Sequence, residues 1–297
     1  MISAVKKRGL RPNNWIPHSV FTLLALSCVI PMLLVVMISV SDSKSIVERG
    51  YSLFPSLWSS AAYQFIFHSP KLILNSYGTT LFVTVVGTVV GLLLTAMIAY
   101  SLSRKEYKLA GAIGFLVFFS LLFNAGLIPS YIVFTKYYSL KDTYWILILP
   151  GLISAWNVIL LRTFFFDLPQ EVLESASMDG CSEMRIFWQI VLPMSKPALA
   201  TIGLILMLNY WNEWFRSLIY IDTESKFMLQ FLLYKILLNA ELMMKDSQMG
   251  LSIGTTEFPS DSARMAIAVI AAGPMMFVFP FFQKYFVRGI TSGAVKG

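Results

Sequence analysis

The sequence has few charged residues for its length. Aspartate, glutamate, lysine and arginine make up 13% of the 297 residues, and hydrophobic residues make up 57%. Soluble domains average about 25% charged and 45–50% apolar residues. The mean hydropathy of +0.69 agrees with this difference. The composition therefore excludes an ordinary soluble domain and predicts a protein built for the lipid bilayer.

Residue types that serve metal binding and catalysis are also scarce. The chain has two cysteines, Cys28 and Cys181, and two histidines, His18 and His68, and their spacing favours neither a disulfide framework nor a metal site. The patterns G-x-x-x-x-G-K-[ST] and H-E-x-x-H do not occur. These absences exclude a P-loop ATPase and a zinc metalloprotease of the H-E-x-x-H class. We expect no catalytic residue, metal or cofactor in this chain, and we expect both histidines to be interfacial.

What the sequence does contain is long apolar runs. A run of about 20 apolar residues can cross a bilayer as a helix. The first run follows the basic segment KKRGLRPNN, which resembles a signal peptide, but it is too long and lacks an A-x-A site, so we expect a retained span. The sequence predicts an all-α integral membrane protein with six transmembrane helices, over residues 16–40, 79–102, 109–129, 144–165, 198–220 and 265–286. The predicted domains are an N-terminal tail 1–15, the first helix, a transmembrane core 73–287 and a C-terminal tail 288–297.

The distribution of basic residues predicts the orientation of these spans. If the N-terminus is inside, thirteen of the 23 lysines and arginines fall in inside segments or at the inner ends of spans, and the inside segments carry only six acidic residues. Basic residues concentrate in cytoplasmic loops, so both termini are predicted to be cytoplasmic. The net charge of +7 then needs no nucleic acid, since the sequence has no cluster of basic and aromatic residues.

One apolar segment is ambiguous. Residues 227–244, FMLQFLLYKILLNAELMM, include Gln230, Lys235, Asn239 and Glu241. A seventh span there would place the C-terminus outside. The polar residues favour an amphipathic helix on the outer face of the membrane.

A polar segment, residues 167–197, interrupts the apolar pattern and is called the 167–197 loop below. Asp167 and Pro169 are expected to begin a helix whose apolar face holds Val172, Leu173 and Ala176. Gly180 is expected to end that helix. Ser182 would cap a second helix with Ile186, Phe187, Ile190 and Val191 on its apolar face, ending at Pro193. The residues alone leave two interpretations open, a docking site for a soluble partner or an amphipathic connector lying on the bilayer.

The 167–197 loop resembles the EAA loop of binding-protein-dependent ABC importer permeases. That family has the pattern E-A-A-x3-G-x9-I-x-L-P, and this chain departs from it by Ser175 in place of the first alanine. The segments YWNEWFRSLIY and FFQKYFVRGITSGAVKG resemble the carbohydrate-uptake branch, especially maltose-permease-G-like and LplC/YtcP-type oligosaccharide permease subunits. The resemblance covers nearly the whole chain, and the residues that match the pattern are Glu174, Ala176, Gly180, Ile190, Leu192 and Pro193.

The resemblance implies the type I importer transmembrane fold and a multi-pass permease subunit of the bacterial cytoplasmic membrane. It implies a heterodimer with a second permease, two ATPase subunits that bind ATP and Mg, an extracytoplasmic solute-binding protein and an oligosaccharide substrate. In the family this loop is the coupling helix that docks on an ATPase. Coupling roles are expected for Glu174, Ser175, Ala176, Asp179, Gly180, Ile190, Leu192 and Pro193. The sequence does not give the sugar, and an acidic pectin or alginate fragment is one option.

Two other function classes fit a polytopic membrane protein. Secondary transporters often contain internal repeats, and no repeat relates the two halves of this sequence. A membrane receptor or scaffold is the other class. ATP-dependent uptake of a solute would exclude both.

The fifth predicted span ends in LNYWNEWFRS, where Asn209, Asn212, Glu213 and Arg216 have the spacing of one helix face. Because polar groups are costly in lipid, this face is predicted to line a cavity. A substrate-pathway role is expected for Asn209, Asn212, Glu213 and Trp211, whose ring would stack on a sugar or lie at the membrane interface. The alternative is that Glu213 and Arg216 pair near the outer headgroups and anchor the helix.

Gly87 and Gly91 in the second predicted span form a small-x-x-x-small pattern. Such patterns let helices approach closely. They serve either packing within the chain or contact with a partner permease, and we expect packing within the chain.

Overall fold

The structure, a computed structural model, describes residues 15–104, 106–248 and 260–293. These residues are almost entirely helical, and β pairing among them is limited to a single bridge between Ser41 and Trp58. The chain divides into two compact units. The terminal unit comprises Met1–His68 and Leu237–Ile270, and the core unit comprises Ser69–Ile236 and Ala271–Gly297.

The terminal unit begins with a long apolar helix, α1, which ends at a polar junction. The Asp42 carboxylate caps the next helix by accepting from the backbone N–H groups of Lys44 at 3.2 Å and Ser45 at 3.3 Å. The unit contains α1 (Trp15–Ser39), α2 (Ser43–Arg49), α3 (Ala61–Ile66) and parts of α14 (Leu229–Gln248) and α15 (Ser260–Gly293).

The core unit is a set of helices packed on one long helix, α4, which runs unbroken over Pro70–Ser103. A helix of this length spans about 50 Å, more than the roughly 30 Å hydrocarbon core of a bilayer. The shorter helices that follow are α5 (Ala110–Leu122), α6 (Leu127–Ile132), α7 (Tyr144–Ile148), α8 (Ala155–Phe166), α9 (Gln170–Met178), α10 (Glu183–Ile186), α11 (Leu192–Met194), α12 (Lys196–Trp211) and α13 (Phe215–Tyr220).

Three helical segments in the described residues are long and apolar enough to cross a membrane, namely Trp15–Ser39, Pro70–Ser103 and Asp261–Phe282. Three further pairs meet the same test only as bent helices: Ala110–Leu122 with Leu127–Tyr137, Tyr144–Gly151 with Ala155–Phe166, and Glu183–Met194 with Lys196–Trp211. Counting each bent pair as one span gives up to six spans, as the sequence predicts. The breaks were not predicted.

Two of the predicted spans differ most from the structure. The predicted span 109–129 is helical only to Leu122, and the next helix turns away by 116°. The predicted span 198–220 ends at Trp211, and α13 follows after a break. Hydropathy reports that a segment is apolar, and it does not report where its helix bends. Residues 229–244 of the ambiguous segment lie in the single helix α14, whose position relative to a membrane stays a prediction.

Gly87 and Gly91 allow neighbouring segments to contact α4 closely. A Cβ at Gly87 would lie 2.5 Å from Cζ of Tyr210, and a Cβ at Gly91 would lie 2.9 Å from the carbonyl oxygen of Leu152. Real Cβ atoms almost never come so close to another atom. The prediction that this pattern serves packing within the chain is confirmed.

A buried apolar cluster joins α4 to the 167–197 loop. It combines the second half of α4 with α8, both helical parts of the loop and α12. Its buried members include Ala99, Leu161, Phe165, Leu173, Ala176, Ile186, Phe187, Val191, Ile202 and Leu206. The 167–197 loop is therefore packed as part of the core unit, because its apolar residues share one core with three long helices.

At the other end of the core unit, Asp142 joins two loops. Its Oδ1 accepts from the backbone N–H groups of Asp222 at 3.2 Å and Thr223 at 3.1 Å, and Lys226 Nζ lies 3.0 Å from its Oδ2. Partial burial favours the neutral acid, but the hydrogen bonds from Thr223, Lys226 and Asp222 outweigh it and lower the pKa of Asp142 to about 2. The carboxylate therefore stays charged and holds both loops together at any physiological pH.

Candidate functional site

The first helix of the 167–197 loop, α9, buries one of its faces in the core unit and leaves the opposite face exposed. Leu173 and Ala176 are buried, three residues apart, because that spacing places them on the same side of a helix. Val172, predicted to share this face, is 40% exposed. The predicted helix start was also wrong. Asp167 occupies the C-cap position of α8, and α9 begins after Pro169 without a side-chain cap.

Gly180 ends α9 in a Schellman motif. The N–H of Cys181 donates to the carbonyl of Ala176 at 3.1 Å, and the N–H of Gly180 donates to that of Ser177 at 3.1 Å. This pattern requires a left-handed residue, and Gly180 has φ +77°. A Cβ there would meet no atom within 4 Å. The glycine is thus needed for its backbone conformation and not for space, and the predicted helix stop is confirmed.

The second helical part of the loop is less regular than predicted. Ser182 caps α10, as expected, by accepting from the N–H of Arg185 at 3.4 Å. The segment Phe187–Val191 is a π-helix. Pro193 follows it and has no N–H to donate to the carbonyl four residues earlier, which agrees with a widened turn at this place. The helix then ends at Met194, one residue after the predicted end.

The face of α9 that points away from the core is acidic. Glu171, Glu174 and Asp179 are exposed, as are Ser175 and Ser177, and Met178 is 88% exposed. By contrast, Ile190 and Leu192 are partly buried against the core cluster. The residues that match the family pattern therefore divide into two groups. Glu174 offers its carboxylate outward, whereas Ala176, Ile190 and Leu192 pack into the core and fix the loop in place.

Sequence reasoning missed the contact that joins this loop to α4. Both carboxylate oxygens of Glu183 are occupied: the hydroxyl of Tyr100 donates to Oε2, and Nη2 of Arg104 donates to Oε1 at 3.0 Å. The ring of Tyr100 also lies 5.4 Å from that of Phe187, centroid to centroid. These partners are about 80 residues apart in sequence, so no local pattern indicates them.

The predicted substrate-pathway residues do not share one face of a continuous helix. The helix α12 ends at Trp211, and Asn212 is its C-cap residue, with its own Nδ2 donating to the carbonyl of Leu208 at 2.9 Å. Asn209 and Asn212 are exposed. Trp211 is 3% exposed, and its indole N–H donates to the carbonyl of Ala271 at 2.9 Å, so its ring is packed. A role of these residues in the sugar path stays a prediction.

Glu213 and Arg216 form an ion pair beside the broken helix α7. Nη2 of Arg216 lies 3.1 Å from Oε2 of Glu213, and Nη1 donates to the carbonyl of Leu147 at 3.0 Å. The hydroxyl of Tyr210 donates to the next carbonyl, that of Ile148, at 2.8 Å. Two side chains from the α12–α13 region therefore donate to successive carbonyls at the end of α7, just before the bend between Tyr144–Gly151 and Ala155–Phe166. The pairing of Glu213 with Arg216, which the sequence offered as an alternative, is observed. Its place in the membrane stays a prediction.

Known proteins resemble the chain over most of its length. It is 39% identical over 274 residues to the polygalacturonan/rhamnogalacturonan transport system permease protein YtcP of Bacillus subtilis, covering 92% of this chain and 94% of that protein. It is 38% identical over 269 residues to protein LplC of the same organism, covering 91% and 90%. No protein-family model matches the chain.

The fold also has a solved counterpart. One chain of a crystal structure of a bacterial ABC transporter involved in the import of the acidic polysaccharide alginate superimposes with a TM-score of 0.77 at 29% sequence identity. The match covers 94% of this chain and 100% of that chain. The likeness therefore extends over nearly the whole chain.

Proposed function

The chain belongs to the permease subunits of binding-protein-dependent ABC sugar importers, and on this premise we propose that it forms half of an oligosaccharide pathway and couples to an ATPase through the 167–197 loop. The family resemblance predicted from the sequence is confirmed. A permease of this kind is a transport subunit and not an enzyme. It works with a partner permease, an ATPase and a solute-binding protein.

The observation that carries the coupling role is the geometry of α9. Its outer face presents Glu174 beside the small residues Ser175 and Ser177, while Leu173 and Ala176 anchor the helix in the core unit. Carboxylates pair strongly with arginine and lysine, and small side chains allow close approach. An acidic face on a helix that is anchored in the core fits a basic cleft of a soluble protein. Val172 and Met178 are also exposed on α9, so it is the outward carboxylates that favour docking over a connector lying on the bilayer.

The assembly we propose is a heterodimer of permeases with two ATPase subunits, which bind ATP and Mg in place of this chain. Among the described residues, no three side chains of histidine, cysteine, aspartate or glutamate lie together in a way that could hold a metal ion. Substrate would be delivered by an extracytoplasmic binding protein. Binding of ATP would draw the 167–197 loop and the corresponding loop of the partner permease together. This would open the sugar pathway between the two permeases outward, and hydrolysis would reset it.

We place both termini and the 167–197 loop in the cytoplasm, on the strength of the basic residues in the inside segments. Single cysteines at positions 42 and 141 should then react with an impermeant reagent in intact cells, whereas cysteines at 181 and 296 should not. Reaction at position 296 would contradict this orientation.

We propose an acidic oligosaccharide as the substrate class. Two similar proteins support this proposal by their names. One is a polygalacturonan/rhamnogalacturonan permease, and the other is a transporter involved in alginate import. All three of those polymers are acidic.

The proposed function predicts sugar uptake that depends on ATP. The complete complex, reconstituted in liposomes with its binding protein, is expected to accumulate labelled galacturonate or alginate oligomers only when ATP is supplied on the cytoplasmic side. A neutral maltodextrin serves as the control for substrate class. Accumulation driven by an ion gradient without ATP would contradict the importer assignment, and uptake of maltodextrin alone would contradict the acidic class.

A further inference from the structure

The long helix α4 meets the 167–197 loop at one end and the broken spans along its length. Near its C-terminal end lie Tyr100 and Arg104, which hold Glu183. Further toward its N-terminal end, Gly91 contacts Leu152 and Gly87 contacts Tyr210. Unlike the bent pairs, α4 has no break over its 34 residues. It is therefore the continuous element of the core unit that contacts both the loop and the breaks.

The contact at Glu183 is well defined. Each carboxylate oxygen has its own donor, and the two donors lie about one helical turn apart, which fixes the carboxylate along the axis of α4. The side chain of Arg104 is only 11% exposed, while that of Glu183 is 58% exposed. A guanidinium that has lost most of its water depends on its partner more than a surface group does. Arg104 has a second, longer contact, 3.6 Å from Nε to Oε2 of the exposed Glu106.

Further contacts hold the C-terminal end of α4 against the 167–197 loop and α8. The ring of Tyr100 packs against Phe187 at 5.4 Å and Phe165 at 6.5 Å between centroids. Arg162 donates from Nε to the carbonyl of Leu102 at 3.1 Å, so the end of α4 is also held by α8. The hydroxyl of Tyr100 and the Arg104 guanidinium are the polar groups observed to join the end of α4 to Glu183.

We propose that Glu183 is a positioning residue that makes α4 move together with the 167–197 loop. This inference rests on the proposed coupling function of that loop. A push or pull from the ATPase on α9 reaches Glu183 across the Gly180 turn, and the paired contacts with Tyr100 and Arg104 pass it to α4. Because α4 is unbroken, displacement at its end is carried as a rigid-body motion to the segments packed at Gly87 and Gly91.

The test is the number of sugar molecules transported for each ATP hydrolysed in the reconstituted complex. Glu183→Gln weakens both contacts, and Tyr100→Phe removes one hydroxyl while leaving the ring packing intact. Both variants are expected to assemble with the ATPase and to keep ATP hydrolysis stimulated by loaded binding protein. The sugar transported per ATP should fall about tenfold in Glu183→Gln, in the range of coupling between sites, and less in Tyr100→Phe.

Two further variants separate transmission from simple stability. Glu106→Gln removes an exposed carboxylate that also faces Arg104 but lies outside the 167–197 loop, and it should keep the wild-type ratio. The exchange Arg104→Glu with Glu183→Arg restores opposite charges in the reverse order, and it should recover much of the ratio that either single reversal loses. A purely structural role would change the amount of assembled complex without changing the ratio.

A wild-type ratio in Glu183→Gln would overturn the proposal. So would failure of Glu183→Gln and Tyr100→Phe to assemble, together with failure of the charge exchange to recover what either single reversal loses, because Glu183 would then be a folding contact only. Absence of ATP-dependent uptake in the wild-type complex and in Glu106→Gln would count against the proposed function itself.

Discussion

Replacing Gly87 or Gly91 by alanine is expected to destabilise the permease by about 1–3 kcal/mol each, the usual cost of overfilling a packed interface. At Gly87 the new methyl would lie 2.5–2.8 Å from three atoms of the Tyr210 ring. That ring is 2% exposed, and its hydroxyl is bound to the carbonyl of Ile148. At Gly91 the obstacle is the backbone carbonyl of Leu152, which has even less freedom to move.

Gly78 provides the matched control for this prediction. It lies in the same helix, and a Cβ there would meet no atom within 4 Å. Alanine at Gly78 should therefore be neutral or stabilise the helix by about 0.5–1 kcal/mol. The measurement is the melting temperature of the purified complex in detergent. Equal melting of the three alanine variants would show that the close contacts along α4 are absent from the assembled protein.

Charge reversal at Glu174 is expected to stop sugar uptake while leaving the permease in the membrane. The side chain is exposed on α9 and takes no part in the core, so Glu174→Lys should not disturb folding. If Glu174 faces basic residues of the ATPase, the variant replaces attraction by repulsion. Loss of one partner of an interfacial charge pair costs about 2–5 kcal/mol, which corresponds to at least tenfold in docking affinity by the usual conversion of free energy to affinity.

The measurements for Glu174→Lys are copurification of the ATPase and ATP-dependent uptake. Glu48→Lys is the control, because Glu48 is an exposed carboxylate on the short helix α2 of the terminal unit. It tests whether adding a positive charge is harmful by itself. Full docking and uptake by Glu174→Lys would rule out Glu174 as an ATPase contact. A second reversal on the ATPase that restores docking would identify the residue it meets.

The sequence by itself determined the features that depend on short-range chemistry. Apolar runs of about 20 residues marked the three long apolar helices and at least part of each bent pair, because hydropathy is a property of composition. The stop at Gly180 and the cap at Ser182 were also predicted correctly, since each depends on the backbone of a few neighbouring residues. The 167–197 pattern was enough to indicate the family.

Only the tertiary structure decided how these segments bend and which of them touch. The end of α12 at Trp211 removed the predicted polar face, although the spacing of Asn209 and Asn212 is correct for a helix. Periodicity predicts a face only while the helix continues, and the break is stabilised by partners distant in sequence, such as Leu147 for Arg216. The same holds for Glu183, whose surface position in α10 gives no sign of Tyr100 and Arg104. Contacts across about 80 residues arise from the packing of whole helices, and local sequence does not encode them.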